Sequence, residues 1–226
     1  YTTLFRSRDR YRPWPRRQRL ICPSSTTTEY ADLIFIDPAR RDEHGGRTYG
    51  IADCTPNVLE LREELLAKAD RVMIKLSPML DWRKAVEDLK AVCEVHIISV
   101  DNECKELLLI LSNEAKPLQV FCVNDGQIFT FIPASTSSFS LPALPSSFQY
   151  LYVPNASIMK AGCFGELAER FQIVSLDKNS HLFVSDREVP DFPGRCFVIE
   201  KMTSMNKREL KEALTDIRQA NIAVRH

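Results

Sequence analysis

The residues with the clearest chemical potential are Asp37-Pro38-Ala39-Arg40-Arg41, which follow directly on the apolar run Leu33-Ile34-Phe35-Ile36. Proline fixes the turn, which leaves the Asp37 carboxylate and nearby carbonyls directed into a cleft. Acceptors in that position can hold an amine or ring nitrogen in line with an electrophilic methyl group. Methyl transfer gains mainly from such positioning. Asp37 and Pro38 are therefore the catalytic candidates. Lys75, at the end of a second apolar run, can either meet phosphate or reach solvent from the strand end. An isolated Asp-Pro also opens many ordinary loops, so the dipeptide needs its context.

That context is a series of alternating elements. Leu33 to Ile36 is apolar on both faces, as a central parallel strand covered by helices would be. Thr55-Pro56 reads as a helix start, with threonine as cap and proline at the first helical position. Val58, Leu61 and Leu65 would form its buried stripe, with Leu59 and Leu66 beside them. Arg71 to Leu76 is a second strand, Trp82 to Leu89 a second helix and Val95 to Val100 a third strand. Strand, helix, strand, helix, strand is the order of an open parallel α/β sheet. Glu106 to Leu111 and Leu118 to Val123 follow after short loops and so are expected to run antiparallel, with Gln127 to Ile132 as one more strand. Ligands of such sheets bind beyond the carboxyl ends of the strands, where Asp37 lies.

Residues 133–148 are rich in Ser, Pro and Thr and mark a linker between 31–132 and 149–226. The second part opens with a strand from Tyr150 to Val153, and Asn155 caps a helix with Phe164, Leu167, Ala168 and Phe171 on its buried side. Strands are expected at 171–176, 181–185, 195–202 and 221–225, with a helix around Leu210 to Ile217. This is a small α+β unit of ferredoxin-like type.

Residues 1–30 carry seven arginines, two acids and three prolines without any period. Tyr1 to Ser7 is also what a common sequencing-adapter end encodes, so this segment is expected to be non-native or disordered. The remaining 196 residues hold 23 basic and 28 acidic side chains, a net of −5. A mildly acidic body excludes a broad basic clamp for nucleic acid, so any such contact must be local. The seven cysteines are scattered without a C-x-x-C pair and are expected as buried free thiols of a cytoplasmic protein. His44, His96 and His181 have no metal-ligand spacing, so no metal is expected. No apolar run approaches a membrane-spanning length.

Longer strings add a resemblance. Ile34 to Arg41, Tyr49-Gly50-Ile51-Ala52-Asp53-Cys54 and Lys75-Leu76-Ser77-Pro78-Met79 resemble the bacterial class I S-adenosylmethionine-dependent methyltransferases that carry ferredoxin-like and THUMP-like domains. So do Tyr152 to Gly162, Asn179 to Leu182, Pro190 to Arg195 and Gln219 to Arg225. The resemblance covers residues 31–226. It implies a partial Rossmann-like methyltransferase domain, parallel with an antiparallel edge, then a ferredoxin-like domain running into a THUMP-like one. The cofactor implied is S-adenosylmethionine and the partner is RNA, tRNA or rRNA. Asp37-Pro38 matches the position of the Asp/Asn-Pro-Pro-aromatic motif of amine-methylating enzymes, although Ala39 and Arg40 replace its second proline and its stacking aromatic. A guanidinium plane also stacks on a base or pairs with phosphate, so the resemblance implies Arg40 and Arg41 as candidate substrate contacts. No residue matches the glycine-rich cofactor loop, so the chain is expected to be truncated at both ends and inactive alone. A non-catalytic RNA-binding module on the same fold is the alternative.

Overall fold

The computed structural model describes residues 2–5, 19–20, 30–39, 50–133, 147–177, 180–204, 206–215 and 217. Arg40, Arg41, Cys22, His44 and the strand expected at 221–225 lie outside the described residues. The chain forms two compact units, 1–135 with 156–162, and 136–155 with 163–226.

The first unit is built on one mixed sheet. Its central strands are β3 (Ala31–Ile36), β4 (Ala69–Leu76), β5 (Val92–Val100), β6 (Glu103–Leu111), β7 (Gln119–Asn124) and β8 (Gln127–Phe131). Two short strands, β1 (Thr2–Phe5) and β2 (Arg19–Leu20), extend it beyond β3, giving the order β2-β1-β3-β4-β6-β5-β7-β8. Strands β3 and β4 run parallel, as do β5 and β7, while β8 forms an antiparallel edge on β7. The close spacing of β5 and β6 does give an antiparallel pair. The sheet is less simple than a parallel body with such an edge, because β6 enters its interior between β4 and β5. There β6 buries Leu107, Leu109, Ile110 and Leu111 and pairs its backbone with a strand on each side. Strand β7 does not pair with β6 as its short loop suggested; it pairs parallel with β5, on the side away from β6.

The two faces of this sheet differ. Ile34, Ile36, Val72, Ile74, Leu107, Leu109, Val95, Ile97 and Val120 are buried on one. Leu33, Phe35, Met73, Lys75, Leu108, His96 and Phe121 alternate with them and are only half-buried on the other.

Helices α1 (Val58–Lys68), α2 (Trp82–Leu89) and α3 (Ala156–Ala161) complete the unit. The cap of α1 is Asn57, whose side chain accepts from Leu59 N at 3.1 Å. Thr55 does not cap it. Its peptide N–H and C=O are taken by Ala39, at 2.9 and 2.7 Å. The deeply buried residues of α1 are Val58 and Leu66, a narrower stripe than the leucine spacing suggests. Helix α2 is capped by Asp81 and buries Trp82, Ala85 and Leu89.

Helix α3 lies beyond the expected linker in sequence yet belongs to the first unit. Side chains of that unit meet both of its ends. Asn102 Oδ1 accepts from Ala156 N at 2.9 Å, and Arg83 Nη1 donates to Ala161 O at 3.0 Å. The single helix expected after Asn155 is thus two, broken at Gly162, whose φ of 65° ends α3.

The second unit has a four-stranded antiparallel sheet in the order β10-β11-β9-β12. Its strands are β9 (Tyr150–Pro154), β10 (Val174–Ser175), β11 (Phe183–Ser185) and β12 (Gly194–Val198), with helices α4 (Phe164–Phe171) and α5 (Lys207–Ala213). Tyr152, Phe183 and Leu167 are fully buried in it. The Asp191-Phe192-Pro193-Gly194 string is a shaped turn. A Cβ on Gly194 would meet Val153 O at 2.2 Å, so only glycine lets β12 approach β9. Pro193 O also accepts from Asn155 N at 3.0 Å. Among the described residues no helix is long and apolar enough to cross a membrane. Cys54, Cys93, Cys122 and Cys163 are buried thiols outside any disulfide, whereas Cys104 is half-buried and Cys196 exposed, against the expectation of burial.

Candidate active site

Asp37 follows the last residue of β3 and Lys75 is the penultimate residue of β4. The parallel register pairs Ile36 with Ile74, so the next step along both strands sets Asp37 beside Lys75. Their side chains meet, with Lys75 Nζ 2.8 Å from Asp37 Oδ2. Lys75 Nζ also lies 3.5 Å from Glu106 Oε1, which approaches from β6 on the other side. One ammonium therefore stands between carboxylates from the two neighbouring strands. All three side chains are partly open to solvent, at 31% for Lys75, 37% for Asp37 and 42% for Glu106. The hydrogen bond to Asp37 raises the Lys75 pKa above its ordinary value, and the charges of Asp37 and Glu106 act in the same direction.

These groups border a cleft of about 500 Å³ at the carboxyl ends of β3 and β4. Pro38, Ala39, Cys54 and Thr55 line one side of it, with Leu76, Ser77, Pro78 and Leu80 from the turn after β4. Two local devices shape the walls. The Ala39–Thr55 bridge ties the segment after Asp37 to the start of α1, and Ser77 closes its own turn by accepting from Met79 N at 3.2 Å and Leu80 N at 3.1 Å. The β3–β4 register brings Asp37, Pro38 and Lys75 to one cleft, whereas Arg40 and Arg41 lie outside the described residues. Lys75 neither stands alone nor simply reaches into solvent, because it is shared between two carboxylates.

Glu106 and Lys105 are also lining residues, and neither stood out in the sequence. They open an antiparallel strand, and only its insertion beside β4 carries them to the cleft. Of the described histidines, His96 stacks on Phe121 at 4.4 Å and lies 3.0 Å from Glu94 Oε2, and His181 stacks on Phe164 at 4.2 Å. Among the described residues, no group of three or more His, Cys, Asp or Glu side chains could hold a metal ion.

The cleft offers carboxylates, ammonium groups and hydroxyls, and no glycine stands among its described lining residues. A cofactor with a nucleoside needs close backbone approach, which a glycine turn provides. None of the described lining side chains is assigned to such a cofactor.

Residues 150–193 match the model of a ferredoxin-like domain family. The chain is also similar to a solved structure described as a "putative methyltransferase from Porphyromonas gingivalis W83". The two share 35% identity with a TM-score of 0.75 over 84% of this chain and 48% of the other. This chain thus spans about half the length of that protein. No curated protein matches the chain.

Proposed function

We propose that this chain contributes the acceptor side of an S-adenosylmethionine-dependent methyltransferase that acts on RNA bases. The observation that carries this reading is Asp37-Pro38 at the carboxyl end of β3, facing a cleft. A structural neighbour described as a methyltransferase supports the reaction class.

S-adenosylmethionine supplies an electrophilic methyl group when bound. Asp37 accepts the N–H of an amine or ring nitrogen and so aims the nitrogen lone pair. Pro38 fixes the turn that presents the carboxylate. Lys75 orients the carboxylate before the acceptor engages. Arg40 and Arg41 follow directly in sequence and supply planar cations for a base face or a phosphate. The mildly acidic body fits a local contact with folded tRNA or rRNA rather than a non-specific grip. A cytoplasmic location follows from that substrate.

The test is methyl transfer into cellular RNA by the full-length protein and its Asp37→Ala variant. The variant should lose about 10²-fold or more in rate. Transfer at the normal rate would remove Asp37 from the reaction. A full-length protein that binds RNA but transfers no methyl group would instead be a non-catalytic module.

A further inference from the structure

We infer that Glu106 is a positioning residue for the proposed transfer, taking over Lys75 when the acceptor nitrogen engages Asp37. The inference rests on the reading of Asp37 as the acceptor-holding carboxylate. Its basis is the unequal sharing of one ammonium: Lys75 Nζ is 2.8 Å from Asp37 Oδ2 and 3.5 Å from Glu106 Oε1. The shorter contact is a full hydrogen bond, and the longer one is a charge contact with room to close.

An incoming N–H must share the Asp37 carboxylate with Lys75, which holds Oδ2. If the ammonium had no second partner, acceptor binding would have to compete with the whole ion pair. Glu106 lowers that cost. It lies on the strand beside β4, and Lys75 has three N–H donors with which to pass between the two carboxylates. The partial exposure of all three groups helps, since water screens the ions and makes the exchange shallow in energy. No proton or covalent bond moves in this step. Only the hydrogen-bond partner of one ammonium changes.

The experiment uses the full-length protein and an RNA that it methylates. Glu106→Gln keeps the size and hydrogen-bonding capacity of the side chain and removes its charge. With Lys75 then held on Asp37, KM for RNA should rise about tenfold with kcat little changed, the pattern of lost binding. In a Lys75→Met background, where no ammonium competes for Asp37, the same substitution should leave KM unaltered. A merely structural role for Glu106 would show the same defect in both backgrounds. An active parent whose KM does not respond to Glu106→Gln, or responds equally in both backgrounds, overturns the inference. A parent that transfers no methyl group to RNA overturns the functional reading itself, and the role of Glu106 with it.

Discussion

Lys75 Nζ stands 2.8 Å from Asp37 Oδ2, joining the ends of two parallel strands at the mouth of the cleft. The pair follows from the sheet: once Ile36 and Ile74 are in register, the next residues of β3 and β4 must lie side by side. An acid and a base at those positions then meet without any adjustment of the backbone.

A first expectation concerns the charge state of that pair. The hydrogen bond to Asp37 raises the Lys75 pKa above its ordinary value, so Asp37→Asn should lower it. Titration of lysine labelled at Cε and followed by NMR reads this directly. Because the folded value exceeds the unfolded one, the stabilisation is complete at neutral pH and disappears as pH rises through the folded Lys75 pKa. For a pair this exposed the contribution is about 0.2–1 kcal/mol. A Lys75 resonance that titrates identically in both proteins would contradict the pairing.

The two faces of the sheet should respond differently to truncation. Leu109 is fully buried on β6, and Leu109→Ala should cost about 2–5 kcal/mol. Leu108, its neighbour on the half-buried face, should cost clearly less when changed to Ala. Urea denaturation of the two variants gives the comparison. Equal losses would mean that both faces are packed alike.

Helix α3 should depend on its borrowed cap. Asn102 has a φ of 59°, a conformation that glycine tolerates, so Asn102→Gly removes the side-chain acceptor without straining the turn. The bond to Ala156 N would be lost, at about 1 kcal/mol. Faster hydrogen exchange confined to 156–162 would accompany it, whereas unchanged protection there would show that Asn102 does not hold the helix.

Tyr152 gives a marker in the second unit. Its hydroxyl accepts from Val189 N at 2.8 Å and donates to Arg187 O at 3.3 Å. Burial, as the largest cause, pushes its pKa up to about 12. The neutral phenol is therefore the folded form, and stability present below the ordinary tyrosine pKa of 10.0 should be lost as pH rises towards 12. Tyr152→Phe should cost about 1–3 kcal/mol, since Val189 N loses its acceptor. Absorbance at alkaline pH tests the first statement and thermal melting the second. A Tyr152 that ionises with the exposed tyrosines would refute the burial argument.

Much of this molecule is written locally. The apolar run before Asp37, the strand that ends near Lys75, the Trp82–Leu89 helix and the strand at Tyr150 all follow from periods and breakers only a few residues long. Such signals act between near neighbours, and for that reason the α/β class, the ferredoxin-like second part and the placement of Asp37 at a strand end were legible from the chain. The local record was ambiguous where two signals competed. Thr55, Pro56 and Asn57 can each begin a helix, and the Ala39 bridge claims the Thr55 backbone, leaving Asn57 as the cap. Gly162 could sit within a helix or end one, and the side chains that meet α3 lie more than fifty residues away.

Strand order belonged to the tertiary structure alone. Whether β6 lies at the rim or between β4 and β5 depends on hydrogen bonds between distant strands and on burial of Leu107, Leu109 and Leu111 on both of its sides. No short-range period records those partners. That placement carries Glu106 to Lys75, so the sequence named one carboxylate of the cleft while folding supplied the other.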